Sequence, residues 1–299
     1  MDLLEQILQD KRGEIARVKA VRPLSEVQKR VHDVPKPISF CRALTSGGFG
    51  IIAEIKKKSP SMGEMNPADV AQAPEVYKES AVVKAVSILT DSAYFGMGIE
   101  DLEPLKRQIG KPVLRKDFIF DEYQVFEARA AGADAILLMA SVLDRGPLQR
   151  LFDLATELGM DVLFECHSRE EIDAIPERAK IVGINSRKFK TSGSSFRYRA
   201  SRLLGKFKSF GLVGMRDFST DLDLFKELVG HLPKAAVKVA ESGLKPSAIG
   251  EVRRVGFDCA LIGTALLKSP LGIRRTLDLF SQALQENALT TREPTGQLS

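Results

Sequence analysis

The 299-residue chain has only three cysteines, Cys41, Cys166 and Cys259, an odd number with no C-x-x-C pair. That scarcity argues against a disulfide framework and against a zinc site, and it suits a reducing compartment. Long apolar runs are missing as well: no stretch approaches the ~18 consecutive apolar residues of a membrane span, so no membrane association is expected. The N-terminus Met1-Asp2-Leu3-Leu4-Glu5 reaches Asp10 and Lys11 without a continuous apolar core, so it does not read as a signal peptide and a cytoplasmic protein is expected. Nor is there a block of one charge. The 44 Lys and Arg against 39 Asp and Glu give a net +5 spread along the chain, which disfavours nucleic acid and favours a small anionic ligand. With 44% hydrophobic and 28% charged residues, whole-chain disorder, collagen and a disulfide miniprotein are excluded.

Length alone permits one large α/β domain or two modest ones. The pattern decides between them. From Phe49 onward, short apolar runs alternate with longer amphipathic segments, the signature of βα units around a parallel sheet. Strands are predicted near residues 50–55, 82–89, 112–115, 133–139, 161–165, 180–184, 236–240 and 259–262, each almost continuously apolar as in a sheet covered on both faces. Helix starts are marked by Asn66-Pro67, Ser168-Arg169-Glu170-Glu171 and Lys245-Pro246, and Gly132 and Gly256 close two helices before the next strand.

Eight such runs predict an α/β fold, a single (β/α)₈ barrel over residues 49–284. Leu4, Ile7, Leu8, Ile15 and Val18 recur at helical spacing, and a short helix is expected over Phe40 to Leu44; residues 1–48 therefore form an N-terminal helical extension. An enlarged segment of about 190–234 follows the sixth strand. Its strand-like run Gly211 to Met215 leaves a ninth strand in a doubly wound sheet as the alternative, and its Ser-, Arg- and Lys-rich part reads as a solvated excursion. The polar tail, 285–299, is expected to be disordered.

Polar residues follow almost every apolar run: Glu54 and Lys56, Thr90 and Asp91, Lys116 and Asp117, Glu165 and His167, Asn185 and Arg187, Glu241 and Ser242. One such residue is explained by a structural ion pair. Their recurrence on many strands predicts a shared polar cavity at the carboxyl rim, where barrel active sites are built. Glu241-Ser242-Gly243 and Ile262-Gly263-Thr264-Ala265 end the last two runs, each with a small residue ahead of a helix start. In register with the strand count, the pair predicts a phosphate cup of backbone N–H groups.

Ile52-Ala53-Glu54-Ile55-Lys56-Lys57-Lys58-Ser59-Pro60-Ser61 resembles the first-strand signature of the indole-3-glycerol phosphate synthases. Ser87-Ile88-Leu89-Thr90-Asp91, Pro112-Val113-Leu114-Arg115-Lys116-Asp117-Phe118, Glu165-Cys166-His167, Gly183-Ile184-Asn185-Ser186-Arg187 and Val239-Ala240-Glu241-Ser242-Gly243 follow in the family's order. The resemblance implies ring closure of 1-(2-carboxyphenylamino)-1-deoxyribulose 5-phosphate to indole-3-glycerol phosphate, with loss of carbon dioxide and water, a carboxy-lyase step of tryptophan biosynthesis. It implies Lys116 as general acid, with a pKa expected to be lowered by apolar walls and other cations. By the same resemblance, Lys56 holds the anthranilate carboxylate, helped by Arg187, and Glu165 is the base of the dehydration. Glu54, Asn185 and Glu241 orient these groups. Ser59, Ser242, Gly243, Gly263 and Thr264 bind the phosphate region, and Phe95, Phe118 and Leu138 line the aromatic pocket. His167 carries no acid–base duty in that pattern, and the implied steps call for no metal and no organic cofactor.

This chain departs from the family in two places. Ser61-Met62-Gly63 stands where many members have Ser-Lys-Gly, and Ser186 stands where many have a second asparagine. Two other readings stay open at this level: a related barrel acting on another ketose phosphate, and a binding or regulatory paralogue that recruits a protein partner through residues 190–234.

Overall fold

The computed structural model describes residues 3–187 and 222–290. Eight parallel strands close into a barrel: β1 (Gly50–Ile55), β2 (Val83–Leu89), β3 (Val113–Lys116), β4 (Ala135–Met139), β5 (Asp161–Cys166), β6 (Ile181–Asn185), β7 (Val237–Glu241) and β8 (Cys259–Ile262). Closure is made by β1, which pairs with β2 on one side (Ile52 opposite Ala85) and with β8 on the other (Ile52 opposite Leu261). The predicted strands coincide with the observed ones to within a residue or two at each end. All neighbours are parallel, so every strand delivers its carboxyl end to the same rim. Leu89 lies beside Lys116, Met139 beside Glu165, and Asn185 beside Glu241.

The helices between strands are fixed by the capping residues read from the sequence. The Asn66 side chain accepts from the Ala68 amide, with Pro67 supplying the first helical residue of Pro67–Glu79, and the Ser168 hydroxyl accepts from Glu171 N at the start of Arg169–Asp173. Inside and around the barrel, Ile51, Ile52, Ala85, Val86, Leu114, Ile136, Phe164, Val182, Val239 and Ala260 are fully buried. Such a continuous apolar set pins the strand register, because a one-residue slip would exchange the two faces of a strand.

The N-terminal extension divides between the two ends of the barrel. Helix α1 (Leu3–Val21) lies at the carboxyl rim, tied there by Lys11. Its ammonium is buried 2.9 Å from Asp91 and 3.2 Å from Asp117, and also pairs with Glu14 at 3.0 Å. Helix α2 (Leu24–Val31) packs Val27 against Tyr123 and Ala130 on the barrel's flank. Helix α3 (Phe40–Thr45) plugs the opposite end: Phe40 and Leu44 are buried, Cys41 N donates to Asp161 at 2.9 Å, and the preceding Ile38 N donates to Asp134 at 2.6 Å. The extension therefore reaches both the site and the floor, and Asp117 links it to the strand end that carries Lys116.

The last helix runs Ile273–Thr290, so residues 285–290 continue it rather than beginning a disordered tail. Residues 190–221 of the enlarged segment, including the run 211–215, lie outside the described residues. The segment's remainder forms the helix Leu222–Val229, with Phe225 and Leu228 buried, and the turn leading to β7. Among the described residues no helix is long and apolar enough to cross a membrane.

Candidate active site

A cavity of about 450 Å³ opens at the carboxyl rim, and thirteen of the fifteen site residues expected from the sequence line it: Glu54, Lys56, Phe95, Lys116, Phe118, Glu165, Asn185, Arg187, Glu241, Ser242, Gly243, Gly263 and Thr264. Strand alternation explains why they converge. Glu54 and Lys56 sit two residues apart at the end of β1 and both face inward, where the Lys56 ammonium donates to Glu54 Oε1 at 2.5 Å. Across the alternate strands β3, β5 and β7, the Lys116 ammonium donates to Glu165 Oε2 at 3.0 Å and to Glu241 Oε2 at 3.4 Å. One cation thus stands between two carboxyl groups, and all three are largely withdrawn from water.

The electrostatics correct one expectation. Burial does press the Lys116 pKa downward, but the carboxylates of Glu165, Glu241 and Glu54 outweigh it, and the pKa is raised well above that of an ordinary lysine. The sequence reading placed Lys116 among apolar walls and cations; its immediate neighbours are anions. The two glutamates then divide. Burial and the negative charge of Glu165 raise the Glu241 pKa despite Lys116, so Glu241 tends to keep its proton. Burial would raise Glu165 as well, but the Lys116 ammonium, His167 and hydrogen bonds from Lys116 and Glu241 hold it below the usual carboxylate range. Glu54 is likewise held low against its burial, chiefly by Lys56 and then by Lys116.

Two glycines make room for these carboxylates. A Cβ on Gly263 would collide with Glu54 Oε1, and one on Gly183 would collide with Glu241 Oε1. Gly263 was expected for phosphate contact; it lines the cavity and also leaves space for Glu54. At the cup itself, Ser242 (φ 75°) and Gly243 (φ 69°) are both left-handed. Serine seldom adopts that conformation, and strain of this kind is stored at sites where backbone N–H groups must be aimed at a ligand. Ser186 N and its hydroxyl brace the turn by donating to the Glu241 carbonyl at 3.1 and 3.2 Å. Across the mouth, Asn185 Oδ1 accepts from Arg187 N at 2.9 Å, and the Arg187 guanidinium reaches Ser61 Oγ at 3.5 Å.

Two expected residues do not face the cavity. Leu138 is fully buried and turned away, while Leu137 and Met139 line the pocket. The sequence reading was one residue off on β4, and on a strand one residue reverses the face. Ser59 is also outside: its hydroxyl accepts from Met62 N at 3.1 Å and shapes the turn after β1. Phe95 and Phe118 line the cavity with their rings 6.5 Å apart at 32°. The sequence reading missed Lys245 and Lys268, which lie just past the two cup motifs and line the cavity; the Lys268 ammonium donates to the Met62 carbonyl. Their signal was available as the first lysine beyond each Ser-Gly or Gly-Thr pair. His167 packs directly behind Glu165, its Nε2 3.6 Å from Glu165 Oε1 and its Nδ1 3.2 Å from Glu171 Oε2. Among the described residues no cluster of His, Cys, Asp and Glu is arranged to hold a metal ion.

The family model for indole-3-glycerol phosphate synthase matches residues 4–203. The chain belongs to the indole-3-glycerol phosphate synthase family. A relative of that name from Bacteroides thetaiotaomicron is 35% identical over 289 residues, spanning 95% of this chain and 99% of its own. Another from Chlorobium limicola is 38% identical over 280 residues, spanning 90% and 96%. Among solved structures, 3-hexulose-6-phosphate synthase from Salmonella typhimurium superposes with a TM-score of 0.55 at 16% identity, covering 80% of this chain and 100% of that one, a likeness of fold. Met62, where many members have lysine, lines this cavity.

Proposed function

We propose that the chain is a working indole-3-glycerol phosphate synthase, a cytoplasmic carboxy-lyase of tryptophan biosynthesis that closes the indole ring of 1-(2-carboxyphenylamino)-1-deoxyribulose 5-phosphate. The observation that carries the reading is the Lys116 ammonium held 3.0 Å from Glu165 and 3.4 Å from Glu241 inside the cavity. Around it, cations and a backbone cup face the two charged ends of such a substrate. Family membership over most of the chain supports the same activity.

The substrate's phosphate sits against Ser242, Gly243, Gly263 and Thr264, and its anthranilate carboxylate is held by Lys56 and Arg187, with the ring against Phe95 and Phe118. The ring carbon bearing that carboxylate attacks the ketone, and Lys116 gives its proton to the carbonyl oxygen. An alkoxide is more basic than any lysine, so this donation stays downhill even with the Lys116 pKa raised; its carboxylate neighbours ensure that it arrives protonated. Carbon dioxide then leaves and the benzene ring regains aromaticity. In the final dehydration Lys116 protonates the departing hydroxyl while Glu165, held ionised, takes the proton from the adjacent carbon. Glu54, Asn185 and Glu241 keep Lys56, Arg187 and Lys116 in place.

Purified protein given this substrate is expected to develop indole fluorescence, and Lys116→Met to lose it by several hundredfold or more, in keeping with the roughly 10²–10⁴ of general acid catalysis. No indole from the native protein at saturating substrate, with turnover of another ketose phosphate instead, would overturn the proposal.

A further inference from the structure

The proposed chemistry has a proton balance. Two protons go to the ketone oxygen before it departs as water, one proton comes off the neighbouring carbon, and carbon dioxide leaves the ionised carboxylate without one. Each turnover therefore consumes one proton net. The groups that handle it are closed off: the Glu165 side chain is 2% exposed and that of Lys116 15%, and bound substrate covers them further.

Behind Glu165, on the side away from Lys116, lies His167. Its Nε2 is 3.6 Å from Glu165 Oε1, too close for an intervening water, while Glu165 Oε2 contacts Lys116 at 3.0 Å. The far edge of the imidazole meets Glu171, whose Oε2 lies 3.2 Å from Nδ1 and also accepts from His167 N at 2.7 Å. Glu171 comes from the helix Arg169–Asp173 and fixes the ring by both contacts. Among the described residues, the titratable groups facing the imidazole include Glu165 at the end of β5, Glu171 on that helix and Glu241 on β7. Burial disfavours the imidazolium, but these three carboxyl groups outweigh it and raise the His167 pKa above 6.5.

We infer that His167 is a one-proton store for the active site, acting through Glu165. The inference rests on the proposed synthase reaction. During turnover Nε2 gives its proton to Glu165 Oε1, Glu165 releases one from Oε2 to the Lys116 amine, and the imidazole is left neutral, its proton kept on Nδ1 and donated to Glu171 Oε2. After product leaves, water in the open cavity returns one proton along the same path. His167 touches no substrate atom and is a positioning residue. Glu241, which also tends to keep its proton, is the competing source, and a substitution at His167 leaves it in place.

Two measurements test the store, and the first needs no substrate. In ¹⁵N NMR of the substrate-free enzyme at pH 7, the His167 ring is expected to be the charged imidazolium; a neutral ring overturns the inference whether or not the protein is a synthase. In the second, indole fluorescence and a pH indicator are followed together through a single turnover. Proton uptake from solvent is expected to lag behind indole formation in the native protein. In His167→Gln, which keeps a hydrogen-bonding amide beside Glu171, uptake is expected to coincide with a step slowed about tenfold or more. The native rate should also fall as pH rises through the His167 ionisation, with no such limb in the variant. Equal rates, unchanged timing or superimposed pH profiles would overturn the store, leaving Glu241 as the source. Native protein that forms no indole would instead overturn the synthase reading.

Discussion

Replacing Lys11 by methionine isolates what the N-terminal helix does for the barrel. The side chain is 1% exposed and its ammonium lies 2.9 Å from Asp91, 3.2 Å from Asp117 and 3.0 Å from Glu14. Methionine keeps the apolar stem and deletes the charge. Asp117 would still be held by Arg115 at 2.9 Å and by the Thr90 hydroxyl at 2.8 Å, so the exposed penalty falls mainly on Asp91, buried at 1%. Removing one partner of a buried pair costs ~3–5 kcal/mol, and urea unfolding at pH 7 should show a loss in that range with the m-value unchanged. Adding Asp91→Asn should restore a large part, because the neutral amide no longer needs the cation while its oxygen still caps Tyr94 N. The sign with pH is fixed by two shifts. Burial pushes the Lys11 pKa down, but Asp117, Asp91 and Glu14 outweigh it and raise the pKa, so its contribution is full below 10.5 and fades only at more alkaline pH. The Asp117 pKa is lowered, mainly by Arg115 and Lys11 against burial, so its share fades as pH drops below 3.8. The difference between native and variant should be flat from pH 5 to 9 and shrink in acid. A loss under about 1 kcal/mol, or no recovery in the double variant, would refute the reasoning.

Two further outcomes follow from the packing of the carboxylates. Gly263→Ala should displace Glu54 from Lys56 and cost ~1–3 kcal/mol by overpacking, with a fall in kcat/KM; unchanged thermal unfolding and activity would contradict the steric account. Glu241 binds its proton more tightly folded than unfolded, so between pH 4.5 and about 8 stability should decline as pH rises. Glu241→Gln should flatten that decline in Tm measured across the range, and parallel curves for both proteins would contradict it.

Most of the architecture was legible because it rests on local signals. The strand runs are near-continuous apolar stretches, and Asn66, Ser168 and Pro246 mark helix starts by direct backbone chemistry. The site was legible through position, since a polar residue ending a buried parallel strand must arrive at the common rim. What escaped depended on spatial neighbours. The shift of Lys116 is set by Glu165 and Glu241 from strands 49 and 125 residues away in the chain, and no window around Lys116 contains them. Leu138 failed for the opposite reason: strand period is exact to one residue, and a short apolar run Ala135–Met139 does not say which alternate set faces inward. His167 was passed over because its interest lies in contacts with Glu165 and Glu171 that a motif does not express.

The division of labour between Lys116 as acid and Glu165 as base is tested most directly by following labelled carbon dioxide release and indole fluorescence together in Glu165→Gln. Ring closure and decarboxylation need only the acid, so carbon dioxide should continue to form while indole formation falls by two orders of magnitude or more, and Lys116→Met should lose both. Carbon dioxide and indole lost in parallel in Glu165→Gln would contradict the assignment.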